Sequence, residues 1–196
     1  MAGKIEILTN QQKEFLALVS AERTLCDTFY FTGGTPLSAF YLQHRMSEDL
    51  DYRQFLGLHT FQLIYPDKSV LKVDFNYYPF PRIEKGMKYL NISVDSFFDI
   101  AVNKVHTIFM KPRARDFIDI YFILKDRNYK FNDLMKQAKV KFDWHIDKRQ
   151  FGTRLLDAAS ATDFPRMIKS VNHDEWKQFF VEEATKLKDE IFDAEK

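Results

Sequence analysis

The sequence has few of the residues that secreted, repetitive or membrane-spanning proteins require. Its 196 residues include 1 cysteine, 6 glycines and 6 prolines. The single cysteine, Cys26, allows no disulfide within the chain, which favours a reducing compartment. No apolar run approaches the ~20 residues of a membrane-spanning helix, and the segment from Met1 to Thr9 lacks the apolar core of a signal peptide. We therefore expect a cytoplasmic protein without a membrane partner.

The chain also lacks an excess of charge of either sign. Its 29 basic and 28 acidic residues leave a formal net charge of +1, so a nucleic-acid partner would have to be attracted by a local basic patch. Apolar and aromatic residues are abundant, at 45% and 16% of the total, with 20 Phe and 9 Tyr. These fractions exclude a disordered chain and predict a globular core built largely on aromatic rings.

The hydrophobic periodicity predicts strands and helices together in the first half of the chain and helices in the second half. The clearest strand is predicted at 69–77, where Leu71, Val73 and Phe75 alternate with polar residues. Thr35 is predicted to cap a helix that ends near residues 44–45. Further strands are predicted at 29–32 and 50–58, a strand or a short helix at 60–65, and helices at 11–23, 93–110 (capped by Ser93 or Asp95), 114–125, 131–142, 147–159 and 174–192.

A Gly33-Gly34-Thr35 turn separates a predicted strand from a predicted helix. Two adjacent glycines let the backbone approach a ligand closely. The N-terminus of the following helix offers unpaired N–H groups and a positive dipole to a phosphate. The alternative is a plain turn, because Gly-Gly pairs are common in turns. Alone, this turn is a weak indication of a phosphate-binding loop.

Asp49 and Asp51 stand two positions apart on a predicted strand. Both side chains then project from one face, while Leu50 points into the core. Two carboxylates this close repel each other unless a cation lies between them. Mg²⁺ suits such a pair, because it binds one or two carboxylates together with substrate phosphates. The alternative is a solvated acidic edge.

Asp74 strengthens the metal interpretation, because it lies on the polar face of the clearest strand. A neighbouring strand can bring it beside Asp49 and Asp51, and three carboxylates can hold two metal ions for a reaction at phosphorus. The alternative for Asp74 is an ordinary surface residue opposite a core-facing side.

A third group of polar residues lies on two predicted helices. Lys104 follows apolar residues on the first and can reach a phosphate from it. Asp116 and Asp119 are one turn apart on the second. Asp119 can instead pair with Arg115, four residues earlier, as an ordinary surface ion pair. Taken singly, each of these residues is more typical of a structural role.

These pieces follow one another in a distinctive order. Residues 31–51 carry a Gly-Gly-Thr turn, a helix, a His-Arg pair and a Ser-x-Asp-hydrophobic-Asp run. Residues 72–74 carry a third carboxylate on a strand, and 99–104 and 115–119 carry a lysine motif and an Arg-Asp-x-x-Asp motif. Over about residues 30–124, this combination resembles the AbiEii/AbiGii nucleotidyltransferase family of the DNA polymerase β superfamily.

The resemblance implies a mixed α/β fold of the polymerase-β type, with a small mixed sheet flanked by helices and a helical C-terminal region. It implies a nucleotidyltransferase core at 1–127, which includes the helices with the Lys and Asp motifs, and a C-terminal helical region at 128–196. It also implies dependence on Mg²⁺ and the use of an NTP as substrate.

Carried over by position, the resemblance also implies roles for individual residues. Asp49, Asp51 and Asp74 are expected to bind metal, and Asp74 completes the site as the base for the incoming hydroxyl. Lys104 is expected to neutralise phosphate charge. Asp116 is expected to orient Lys104 or to contact the nucleotide. Residues expected to hold the triphosphate are Gly33, Gly34 and Thr35, with Arg45 bracing the carboxylates or touching phosphate.

The implied activity is transfer of a nucleotide from an NTP to the 3′ end of an RNA, with tRNA as the expected acceptor. The enzyme would be the toxin of a toxin–antitoxin or phage-defence system, with a cognate antitoxin as partner. Two alternatives stay open: a protein or small molecule as acceptor, and an inactive regulator with the nucleotidyltransferase fold. Basic residues that would contact an RNA backbone, or else form solvated helix faces, are Lys136, Lys139, Lys141, Lys148, Arg149 and Arg154.

Overall fold

A computed structural model describes residues 6–54, 58–145 and 147–193 of the chain. The chain divides into two compact units, Met1–Ile100 and Ala101–Lys196. The sequence predicted a different boundary, between residues 127 and 128, because it was placed after the last of the recognised motifs. That boundary stays a prediction.

The first unit is built on a sheet with short helices. Its helices are α1 (Asn10–Ala21), α2 (Arg23–Thr28), α3 (Gly34–Pro36), which continues as a π-helix (Leu37–Leu42), and the start of α4 (Phe97–Met110). Its strands are β1 (Tyr30–Thr32), β2 (Leu50–Gln54), β3 (Leu58–Ile64), β4 (Val70–Tyr77), β5 (Lys88–Tyr89) and β6 (Ile92–Val94).

The six strands form one mixed sheet in the order β3-β4-β2-β1-β6-β5. β2 runs parallel to β4, and β1 runs parallel to β6. The remaining neighbours are antiparallel. This is the small mixed sheet that the sequence led us to expect, and it places β1, β2 and β4 at its centre.

A row of aromatic rings crosses these central strands on the core side of the sheet. Phe31, Tyr52 and Phe75 are paired in register on β1, β2 and β4. The Tyr52 ring stacks on both neighbours, with centroid distances of 5.3 Å to Phe31 and 5.0 Å to Phe75. Phe31 and Tyr52 are fully buried. Since successive side chains point to opposite faces, this row determines which residues reach the other face.

The second unit is helical. It contains the rest of α4, α5 (Ala114–Asp126), α6 (Phe131–Lys141), α7 (Lys148–Ser160) and α8 (His173–Asp193). The predicted last helix is confirmed and carries an apolar stripe, in which Trp176 and Phe180 are fully buried and Ala184 and Leu187 nearly so. Trp176 also donates its indole N–H to His173 Nδ1 at 3.0 Å.

The helix predicted at 93–110 begins later than expected. Residues 92–94 form β6, and α4 starts at Phe97. Its cap is Ser96, whose Oγ accepts the Asp99 N–H at 2.8 Å, so the expected caps Ser93 and Asp95 are wrong. A three-residue strand is too short for a period-2 pattern to reveal it.

Two further predictions are resolved in the first unit. The undecided segment at 60–65 is strand, since it lies largely within β3. Thr35 is not the N-cap of its helix: that position belongs to Gly33, whose φ of 90° favours glycine. The helix was predicted to end near residues 44–45. It ends at Leu42, and the next residue, Gln43, takes a left-handed conformation.

Candidate active site

Asp51 and Asp74 are register partners on the parallel strands β2 and β4. Thr32 of β1 continues this row on one side and Thr60 of β3 on the other. Asp49 stands just before β2. Asp74 is 8% exposed, whereas Asp49 and Asp51 are half-buried. The register therefore brings Asp74 beside the Asp49–Asp51 pair, as the strand pattern predicted.

The Asp74 carboxylate is held by two donors. The Thr60 hydroxyl donates to Oδ1 at 2.7 Å, and the Lys72 ammonium contacts Oδ2. The pKa of Lys72 is raised above its ordinary value, first by this hydrogen bond, which opposes the lowering effect of burial. The charges of Asp74, Asp49 and Asp51 raise it further. Lys72 is thus a cation among the three predicted metal ligands.

The Gly33-Gly34 turn packs closely against the acidic strand. A Cβ at Gly33 would lie 2.6 Å from Asp51 Oδ2, so only glycine fits there while that carboxylate keeps its place. Thr35 is buried, and its hydroxyl lies 2.9 Å from Ser47 Oγ and also contacts the Asp49 carbonyl oxygen. The turn and the carboxylates therefore form one assembly, in which the Thr35 side chain supports the backbone before β2.

Arg45 lies behind the same turn. Its side chain is 2% exposed, and Nη1 donates to the Met46 carbonyl at 2.9 Å. A Cβ at Gly34 would lie 2.5 Å from Arg45 Nη2. This buried position against the glycine turn agrees with a bracing role, and the expected contact of Arg45 with the carboxylates or with a phosphate stays a prediction.

Asp95 is a site residue that the sequence suggested only as a helix cap. It is fully buried and accepts the Thr32 hydroxyl at 2.8 Å, while its own carbonyl accepts the Tyr41 hydroxyl at 2.8 Å. Arg82 Nε lies 3.6 Å from Asp95 Oδ1. These contacts hold the Thr32 end of the carboxylate row. An Asp between two elements gives no sequence signal that separates this role from capping.

Lys104, Asp116 and Asp119 form a buried charge cluster in the second unit. Lys104 Nζ lies 2.7 Å from Asp116 Oδ1 and 2.7 Å from Asp119 Oδ2. The three residues are 8%, 2% and 0% exposed. Asp116 Oδ2 also accepts the Arg113 backbone N–H at 3.1 Å. Asp119 is therefore not an ordinary surface residue, because it is fully buried and paired with Lys104. This geometry agrees with the expected role of Asp116 in orienting Lys104.

Comparison with known families identifies the chain. A family model described as "Nucleotidyl transferase AbiEii toxin, Type IV TA system" matches residues 16–55 and 59–193. The chain belongs to the AbiEii nucleotidyltransferase toxin family. Membership of a toxin–antitoxin family implies a cognate antitoxin.

Similar proteins extend this finding. An uncharacterised protein of Aquifex aeolicus (strain VF5) is 28% identical over 158 residues, which cover 69% of this chain and 76% of that protein. A crystal structure of a candidate nucleotidyltransferase from H. pylori has a TM-score of 0.57 at 18% identity and covers 95% of this chain and 99% of its own. JHP933 from Helicobacter pylori has a TM-score of 0.50 at 16% identity, covering 96% and 100%. The family model confirms the AbiEii assignment. The two crystal structures confirm the fold, and at 18% and 16% identity they support no more than the fold.

The AbiEii-family carboxylates have the chemistry that Mg²⁺ prefers. Their donors are hard carboxylate oxygens, and Gly33 leaves open the space over Asp51 that a Cβ would fill. Within residues 6–54, 58–145 and 147–193, no three Asp, Glu, His or Cys side chains converge on one metal position. Asp49, Asp51 and Asp74 are the residues that would hold a metal at this site.

Of the basic residues suggested as RNA contacts, one is misassigned. Lys141 is 7% exposed, with Nζ 5.9 Å from the Phe142 ring centroid, so it packs within its unit. Two others make ion pairs within their own helices, Lys136 with Asp133 and Arg154 with Asp157. The exposed members of the set are Lys136, Lys139, Lys148 and Arg149. In the described part of this AbiEii-family chain, every helix is too short or too polar to cross a membrane.

Proposed function

We propose that this chain is a Mg²⁺-dependent enzyme that transfers a nucleoside monophosphate from an NTP to the 3′ end of an RNA, with tRNA as the first acceptor to test. The observation that carries the proposal is the register of Asp51 and Asp74 on adjacent parallel strands, with Asp49 two residues before Asp51. Such a group of carboxylates beside a glycine turn suits a metal–triphosphate complex better than it suits stability, because like charges held close together repel each other.

Asp49, Asp51 and Asp74 would hold the metal. When bound, Mg²⁺ would neutralise the developing charge on the phosphate oxygens and lower the pKa of the attacking hydroxyl. Asp74 would accept the proton of that hydroxyl. The hydroxyl oxygen forms a bond to the α-phosphorus, the bond between the α-phosphorus and the bridging oxygen breaks, and pyrophosphate leaves. Little covalent help is needed, so the protein acts mainly through positioning and electrostatics.

The glycine turn would hold the triphosphate. Gly33 and Gly34 let backbone N–H groups approach phosphate oxygens, and the buried Thr35 keeps the turn next to the carboxylates. Lys104 would neutralise phosphate charge. Its two carboxylate partners at 2.7 Å would fix the position of its ammonium group.

The test is incubation of the purified chain with Mg²⁺, each of the four labelled NTPs and total tRNA. The control is the Asp49→Asn/Asp51→Asn double variant. We expect label on RNA with the wild type and none with the double variant, and the productive NTP identifies the nucleotide. Label on protein instead would keep the chemistry and change the acceptor. No label on any acceptor, together with no NTP binding, would favour the inactive regulator.

A further inference from the structure

Lys72 shares a sheet face with the predicted metal ligands. It lies two positions before Asp74 on β4, so both side chains emerge from the same face. Its ammonium group contacts Asp74 Oδ2. The register places Asp51 beside Asp74. Lys72 therefore pairs directly with one of the three carboxylates that the proposed function assigns to metal, and it lies on the sheet face that carries Asp51.

The contact with Asp74 uses an oxygen that a metal would also use. Asp74 Oδ1 accepts from Thr60 at 2.7 Å, and Oδ2 is in contact with Lys72. Mg²⁺ binds carboxylate oxygens at about 2.1 Å, and an ammonium donor lies at about 2.8 Å from its acceptor. Two cations on one carboxylate would thus lie a few ångströms apart and repel each other strongly.

The lysine can leave this position easily. Its side chain is 42% exposed, in contrast to 12% for Asp74. Its ammonium group sits on a flexible four-carbon stem, so it can move into solvent while the strands keep their register. A buried lysine such as Lys104, held by two carboxylates, has no such freedom.

We infer that Lys72 is a tethered counter-ion of the carboxylate site, which neutralises Asp74 and its neighbours in the metal-free protein and is displaced when a divalent cation binds. The inference rests on the proposed function, because it requires these carboxylates to bind the cation. Lys72 is then a positioning residue: it sets the metal concentration at which the site is loaded. An ordinary surface ion pair would have no such effect on metal binding.

The test is Mn²⁺ binding to the full chain, measured as free Mn²⁺ by electron paramagnetic resonance. Lys72→Met removes the competing charge and should lower the apparent Kd about three- to tenfold, as expected for loss of one partly exposed charge interaction. Lys68→Met removes the same charge from the exposed turn between β3 and β4 and should leave the Kd unchanged. Lys72→Arg keeps a cation and should stay close to the wild type.

Thermal unfolding provides a second readout and reports whether each variant folds. In EDTA, Lys72→Met should have a lower Tm than Lys68→Met, since Asp74 loses its ion pair with Lys72. Saturating Mn²⁺ should raise the Tm of Lys72→Met by more than it raises that of the wild type. If Lys72→Met does not fold, Lys72→Gln replaces it in both measurements.

An unchanged or higher Kd in folded Lys72→Met or Lys72→Gln would overturn the inference. The proposed function has its own check in the same titration. If Asp49→Asn/Asp51→Asn binds Mn²⁺ as tightly as the wild type, the carboxylates are not the metal site, and the inference falls together with the metal assignment.

Discussion

Asp51 and Asp74 face each other across β2 and β4, and the residue after each of them, Tyr52 and Phe75, stacks with its counterpart on the opposite side of the sheet at 5.0 Å. The two pairs depend on each other, because a slip of one residue would bury the acids and expose the rings. Core packing therefore sets the spacing of the carboxylates. Substitutions on either side of the sheet can test this connection.

Replacing Asp51 should abolish activity and leave the fold intact. Asp51→Asn removes one charge from the proposed metal site, so we expect the rate of label transfer from NTP to fall about 100-fold or more. Asp27→Asn is the matched control, because its side chain is 70% exposed on α2, and its rate should equal that of the wild type. An Asp51→Asn protein that is folded and retains more than about a tenth of the rate would contradict the role of this carboxylate.

Adding a methyl group at Gly33 should damage both stability and activity. At φ 90° and with a Cβ 2.6 Å from Asp51 Oδ2, Gly33→Ala strains the backbone and displaces the carboxylate. We expect the free energy of unfolding to fall by about 1–2 kcal/mol, measured by urea denaturation.

Gly152 offers a matched control on α7. A Cβ there would meet nothing within 4 Å, so Gly152→Ala should raise the free energy of unfolding by about 0.5–1 kcal/mol. If both alanine variants changed stability in the same direction, the close approach at Gly33 would not be the cause.

Removing the buried cation at Lys104 should destabilise the protein strongly. Lys104→Met removes the ammonium group that lies 2.7 Å from each of the buried carboxylates Asp116 and Asp119, and we expect a loss of about 3–5 kcal/mol in the free energy of unfolding. Lys136→Met breaks an exposed pair with Asp133 and should change it by less than about 0.5 kcal/mol. Equal effects of the two substitutions in chemical denaturation would mean that the Lys104 cluster contributes no more than a surface pair.

Tyr52 should limit stability at high pH. Burial raises the pKa of its hydroxyl well above the usual value, which is about 10 and applies in the unfolded chain. The folded protein therefore keeps this proton while the unfolded chain loses it, so stability is full below about pH 10 and declines as the pH rises further. Tyr52→Phe should remove this part of the decline. The measurement is the Tm between about pH 8 and 11, which spans the ordinary tyrosine pKa of about 10.

The same substitution should also have an effect at neutral pH. The Tyr52 hydroxyl is buried without a hydrogen-bond partner among the residues that the structure describes, so Tyr52→Phe should be neutral or stabilising by up to about 1 kcal/mol. Tyr89→Phe, at a half-buried ring on β5, is the control and should follow the wild type at every pH. A Tyr52→Phe protein less stable than the wild type would show that the hydroxyl makes a favourable interaction.

The parts of the fold that repeat a pattern could be predicted from the sequence. β4 has alternating residues over its whole length, and α8 has an apolar stripe over several turns, so each pattern is long enough to be unambiguous. The sequence could predict the sheet face on which Asp74 lies, because residues alternate between the two faces along β4. That Asp51 lies next to Asp74 on this face follows from the pairing of β2 with β4.

The parts that depend on distant residues could not be predicted in this way. Thr35 looks like a cap by its type, but the positive φ of Gly33 places the cap earlier. Asp119 has the spacing for a surface pair with Arg115, whereas packing buries it against Lys104. The contact of Lys72 with Asp74 was equally hidden, since a polar residue on a strand face carries no mark of what lies next to it.

The connectivity of the sheet also bears on how the protein is made. β2 acquires its parallel neighbour β4 only after the intervening β3, and β1 acquires β6 only at residues 92–94. Chains that fold during synthesis do so from the N-terminus. A nascent chain that stops before β4 lacks one member of the Asp51–Asp74 pair, and one that stops before Val94 leaves β1 without its second neighbour. An incomplete chain of this family member should therefore lack the carboxylate row that the proposed function requires.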